Sequence, residues 1–128
     1  MDIAFIIGRI IVGLYFLQSA WGHLVANKGT IGYAATKVKY PKLAVIGSGL
    51  LLLVGGLSLL LGIWTFWGII VLIVFLIPVT FTMHAYWNET DPMVRAGQTV
   101  NFRKNIVLVG LLLMLLSVAT PWVYSVPL

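Results

Sequence analysis

The chain has no cysteine in 128 residues and only three acidic side chains, and each shortage closes off chemistry. Without cysteine there is no disulfide, no thiolate nucleophile, no Cys-ligated iron–sulfur cluster and no Cys-bound zinc. Any redox role therefore needs a bound cofactor or a partner. Charge of either sign is scarce: Asp, Glu, Lys and Arg together make up 9% of the sequence, against about 25% in soluble domains. Such a chain cannot cover an aqueous surface. The formal net charge of +5 does not indicate nucleic acid, because the basic residues sit in two loops and at helix ends, where they read as topology signals.

Apolar residues fill the space left by charge, at 61% of the sequence. From Leu43 to Met83 no charged residue occurs, and the run is broken near its middle by Gly62-Ile63-Trp64-Thr65. Crossing ~30 Å of hydrocarbon takes ~20 helical residues, so this stretch reads as two membrane helices joined by a tight turn. Extending the reading to both sides gives spans at 3–25, 43–62, 64–86 and 105–124 in a single domain over 1–128. The expected fold is an all-α integral membrane protein, an antiparallel bundle of four transmembrane helices. Asp2 stands where a secretory signal has positive charge, and the first span ends in Trp21-Gly22-His23-Leu24 without a small-residue cleavage site, so removal is not expected.

Lys28, Lys37, Lys39 and Lys42 lie between the first two spans, and Arg95, Arg103 and Lys104 between the last two. The positive-inside rule makes both connections cytoplasmic, with the N- and C-termini outside, in a multi-pass protein of the cell membrane. Arg9 is the exception, expected to snorkel to the interface or to pair with Asp2. His23 and Lys42 precede one leucine-rich span as His84 and Lys104 precede another, which fits two similar helical hairpins. In the second span Ala44/Ser48 and Ser58/Gly62, with Gly47, Gly49, Gly55 and Gly56 between them, allow close helix approach. Pro78 cannot donate to the carbonyl of Val74, and Thr80 and Thr82 stand ready to satisfy freed groups.

The first and third spans run in the same direction, so His23 and His84 reach a similar depth near the basic side. With Trp87, Arg103, Lys104 and Asn105 they form the polar cluster dense enough to be a site, since polar groups at membrane depth are costly unless paired. Several readings of the histidines stand side by side. They could be axial ligands of a haem, or zinc ligands completed by Glu89 or Asp91. They could exchange protons or hydrogen-bond beside a quinone, whose reduction consumes protons near neutral pH. In the plainest reading each satisfies a neighbouring backbone or carboxylate group.

Gly8-Arg9-Ile10-Ile11-Val12-Gly13-Leu14-Tyr15-Phe16 with Gly22 after it, the Gly47–Gly62 helix, His84-Ala85-Tyr86-Trp87, and Asn101-Phe102-Arg103-Lys104-Asn105 together resemble the DoxX family of small four-helix membrane proteins. The family's usual lysine after the first-helix glycine is replaced here by His23. The resemblance implies kinship with the DoxD subunit of a thiosulfate:quinone oxidoreductase, and so a quinone-linked redox component of a membrane oxidoreductase. By motif position it carries over Arg9, His84, Trp87, Phe102, Lys104 and Asn105 as site or scaffold residues. The resulting expectation places His84 as the proton-exchanging group with His23 assisting, and Arg103, Lys104, Asn105, Trp87 and Arg9 around the cofactor. That cofactor is quinone, with haem the second choice, and the partners are the bilayer and a second copy or a redox subunit. A non-catalytic scaffold or assembly factor, and a small-solute transporter using Arg9, Gln18 and the Pro78 kink, are the competing functions.

Overall fold

A computed structural model describes residues 1–127. Its helices are α1 (Asp2–Leu24), α2 (Lys28–Ala34), α3 (Pro41–Leu61), α4 (Thr65–Met83) and α5 (Pro92–Leu116), with a 3-10 turn at Tyr86–Asn88. α1, α3, α4 and α5 are each long and apolar enough to cross a membrane. The chain is an all-α, multi-pass membrane protein.

Neighbouring spans pack antiparallel in the order α1, α3, α4, α5. α1 and α3 make the most extensive contact, because glycines let their backbones meet. A Cβ at Gly13 would lie 3.0–3.1 Å from Cβ, Cα and N of Leu60, and one at Gly56 would press on Leu17. Along α4, Gly68 sits against Ser58 and Leu72 sits over Gly55. Inside these contacts Phe16, Leu52, Leu59, Ile69, Leu72, Leu76 and Leu112 form one core. Where lipid replaces water, such packing rather than hydrophobic expulsion holds helices together. The two hairpins do not pack alike: α4 and α5 touch less closely than α1 and α3, and α5 is the least buried span.

The α3–α4 turn requires a left-handed residue, and Gly62 supplies it at φ 73°. Gly62 and Ile63 donate their N–H groups to Ser58 O, and Ser58 Oγ donates to Ile63 O at 2.6 Å.

The last helix departs from the expected 105–124. It begins at Pro92, where Asp91 Oδ1 accepts from the backbone N–H of Met93 at 2.8 Å and of Val94 at 3.0 Å. Pro92 at the first helical position suits that start. Hydropathy marks where lipid begins, whereas this cap marks where the helix begins, about three and a half turns earlier. The helix also stops at Leu116. Residues 117–127 fold back across the α3–α4 turn, with Val126 N–H donating to Leu61 O and Trp122 buried against Phe5, ring centroids 5.3 Å apart. The expected connection 26–42 likewise contains α2. Thr80 and Thr82 hydrogen-bond Leu76 O and Pro78 O, and so do not reach the carbonyl of Val74 that Pro78 frees.

Candidate functional site

α1 and α4 both end at the side of the bundle that carries α2 and the 84–91 connection, and each has a histidine within one residue of its end. His23, in the last turn of α1, faces α3: its Nδ1 lies 2.8 Å from Ser48 Oγ. Ser48 has one hydroxyl proton, and it goes to Val45 O at 2.9 Å. His23 must then donate from Nδ1, which leaves Nε2 as the acceptor of the neutral ring. Phe75 of α4 meets this imidazole edge to face at 5.9 Å. His84, the residue after α4, places Nδ1 2.7 Å from Gln98 Oε1 on α5. Facing an amide oxygen, it too donates from Nδ1 and keeps Nε2 free.

Both histidines line two cavities. The smaller, about 120 Å³, lies inside the bundle and is also bounded by Tyr15, Ser19, Lys104 and Asn105. Asn105 is 4% exposed, and none of the side-chain hydrogen bonds among the described residues uses its amide. A buried amide costs free energy unless it finds a partner, and this one borders the chamber. Lys104 brings its ammonium over the Tyr15 ring at 5.7 Å. The larger, a groove of about 470 Å³, runs between α3 and α4 past Leu51, Val74, Pro78 and Val79, and α2 covers its end with Thr30, Tyr33 and Ala34. His23, Phe75, Val79 and His84 belong to both. A polar chamber and an apolar groove thus share a wall.

α2 is tied down over the groove from outside the spans. Tyr33 donates its phenol to Met83 O, and Lys37 pairs with Glu89 at 3.0 Å. The hydrogen bond to Glu89 raises the Lys37 ammonium above its ordinary pKa, and burial raises the Tyr33 phenol.

The residues singled out from sequence divide into two groups. His23, His84, Lys104 and Asn105 come together. Arg103 is exposed and lines neither cavity. Trp87 stacks instead with Phe81, Tyr86 and Phe102 in an aromatic cluster where α4 meets α5. Arg9 lies fourteen residues before His23 on the same helix, about 21 Å along its axis. It neither snorkels nor pairs with Asp2: it is 6% exposed and donates to Val123 O at 2.9 Å and Tyr124 O at 3.1 Å. Its role is to hold residues 117–127 against the far end of the bundle. Gln18 faces outward, so Arg9 and Gln18 do not line a common solute path.

Sequence reasoning missed Ser48, Gln98 and Tyr33. In the sequence Ser48 reads only as a small packing residue, and Gln98 lies in the connection between the last two expected spans. The one signal within reach was polarity on a helical period: Gln98, Asn101 and Asn105 repeat at three and four residues. Among the described residues no three His, Asp or Glu side chains converge, so Glu89 and Asp91 do not complete a zinc site with the histidines.

No curated protein and no solved structure matches the chain. The family model for DoxX matches residues 4–85, which takes in α1 through α4 and both histidines but stops short of Lys104 and Asn105. With four apolar spans in place and that model covering well over half of its length, the chain belongs to the DoxX family.

Proposed function

We propose that this protein is the quinone-handling membrane component of an oxidoreductase, with the quinone head between His23, His84, Lys104 and Asn105 and its tail along the Val74–Pro78 groove. The observation that carries this reading is the shared wall: a small polar chamber and a long apolar groove, lined in part by the same four residues, suit a ligand with a polar ring and a hydrocarbon tail. The unpaired Asn105 amide and the free Nε2 atoms fit carbonyl and hydroxyl oxygens as donors and acceptors. A haem fits less well, because a cavity of about 120 Å³ has no room for a porphyrin between the rings.

A quinone supplies two-electron chemistry coupled to the uptake of two protons. The chain has no cysteine, so the electrons come from a partner carrying a reduced sulfur compound or another donor. Asn105 would orient the head, Lys104 would favour developing negative charge on a ring oxygen, and His84 would hold a proton at Nε2 with His23 assisting. Gln98 and Ser48 act through the histidines by fixing Nδ1 as the donor. The positive-inside rule puts α2 and the 84–91 connection on the cytoplasmic side. A second reading, a scaffold for partner proteins, draws support from the sparse burial of α5, which leaves most of that helix open to a neighbour.

The test is equilibrium binding of a short-tailed quinone to the full-length protein in nanodiscs, followed by tryptophan quenching. Asn105→Leu should weaken binding about tenfold, the loss of one net hydrogen bond. His84→Ala should leave binding within a few fold of normal, yet abolish reduction when the donor partner is supplied. Absence of saturable binding by the unaltered protein would sink the quinone reading and leave the scaffold.

A further inference from the structure

The outward face of α1 carries one residue that lipid cannot satisfy. Ile7, Ile11, Leu14, Gln18, Trp21 and Val25 are all exposed and follow one another at alternating steps of four and three. An exposed stripe of that kind belongs to any helix on the outside of a bundle, and hydrocarbon tails would cover the isoleucines and leucine well. Gln18 is different. On its turn the side-chain hydrogen bond runs from Ser19 Oγ to Tyr15 O, and Gln18 takes no part in it.

Depth makes this costly. Gln18 stands six residues inside the end of α1 at Leu24, about 9 Å from that end, which for a 23-residue helix centred in a core of ~30 Å is about 7 Å inside the hydrocarbon. Side chains on a helix tilt toward its N-terminus, which on α1 is away from the nearer interface. The amide therefore cannot snorkel out, and it needs a partner within the hydrocarbon.

We propose that α1 packs against α1 of a second copy of this chain about a two-fold axis along the membrane normal, with the two Gln18 amides hydrogen-bonded to each other. A carboxamide has both donors and an acceptor and so complements itself. In a dimer of that symmetry each residue meets its own equivalent at the same depth, which brings Gln18 to Gln18 automatically. The alternating four-three spacing is the seam of a left-handed helix pair, and a single polar residue in such a seam fixes its register. The stripe carries no charge that would select a different protein.

The absence of native cysteine makes the test direct. Leu14→Cys and Trp21→Cys are compared with Val54→Cys, exposed on α3, each in the full-length protein in lipid vesicles under mild oxidation. The two α1 variants should form a disulfide-linked band at twice the monomer mass, and the α3 variant should not. Energy transfer between labelled copies should report dimerisation that is about threefold to thirtyfold weaker in Gln18→Leu. Gln18 is exposed, so this substitution leaves the bundle core intact. Cross-linking at α1 no greater than at Val54→Cys, a cross-linked band containing a different protein, or unchanged dimerisation of Gln18→Leu would each overturn the proposal.

Discussion

Gly55→Ala tests whether close packing rather than helix propensity governs the α3–α4 contact. In an isolated helix the added methyl stabilises by about 1 kcal/mol. Here an added Cβ would fall within 3.0 Å of three carbons of Leu72, where about 3.5–4.0 Å is the normal contact. Leu72 is 0% exposed and has nowhere to turn, so the cost sits at the upper end of the range for overpacked cores, about 3 kcal/mol. The net expectation is destabilisation by about 2 kcal/mol. Leu72→Ala alone should destabilise by about 2 kcal/mol, the low end for a core leucine because lipid and detergent keep the unfolded side chain from water. In the double variant the new methyl occupies space vacated by Leu72, so the total should stay near about 2 kcal/mol instead of the additive value of about 4. Reversible unfolding in mixed micelles, followed by tryptophan fluorescence, measures all three. A stabilised Gly55→Ala with an additive double variant would refute the reasoning. Phe75, one turn beyond Leu72, touches His23, so Gly55→Ala should also weaken quinone binding.

Arg9→Met removes both donors to Val123 O and Tyr124 O and should favour release of residues 117–127 by about 2–4 kcal/mol, seen as faster proteolytic cleavage near Tyr124 with the four spans intact. Unchanged cleavage would assign the anchoring to Trp122 alone. The tether over α2 should be sensitive to alkali. Lys37 and Tyr33 both hold their protons more tightly folded than unfolded, so their contribution is fully present below their ordinary values near 10 and is lost as pH rises through the raised ones. Protection factors in 25–41, taken relative to the base-catalysed intrinsic exchange rate, should therefore fall above about pH 10 and be lower at every pH in Glu89→Gln; a fall near pH 8 in the unaltered protein would contradict this.

Where lipid decides the structure, the sequence was legible. The uncharged run from Leu43 to Met83 and its break at Gly62 place α3 and α4 within three residues at either end, and the shared direction of α1 and α4 brings His23 and His84 to one wall. Where local hydrogen bonding or side-chain facing decides, it was not. Asp91 starts α5 well before its apolar stretch, and Trp122, inside the expected last span, sits instead at 3% exposure in a folded-back segment. Arg9 shared the family motif with the histidines, but a motif gives order along the chain and not depth in the membrane. Lys104 and Asn105 could be paired with the histidines by depth; Arg103, their neighbour, turns outward because consecutive helical residues point about 100° apart.

The grip of Arg9 on residues 117–127 also sets an order of events. Its two carbonyl partners lie 114 and 115 residues further along the chain, so at ordinary synthesis speeds of about 5–20 residues per second they emerge many seconds after Arg9 itself. For all that time the guanidinium must be kept hydrated or attended by other groups. The end of the bundle opposite the histidines is therefore finished last, and the first helix cannot settle fully until the final one has gone in.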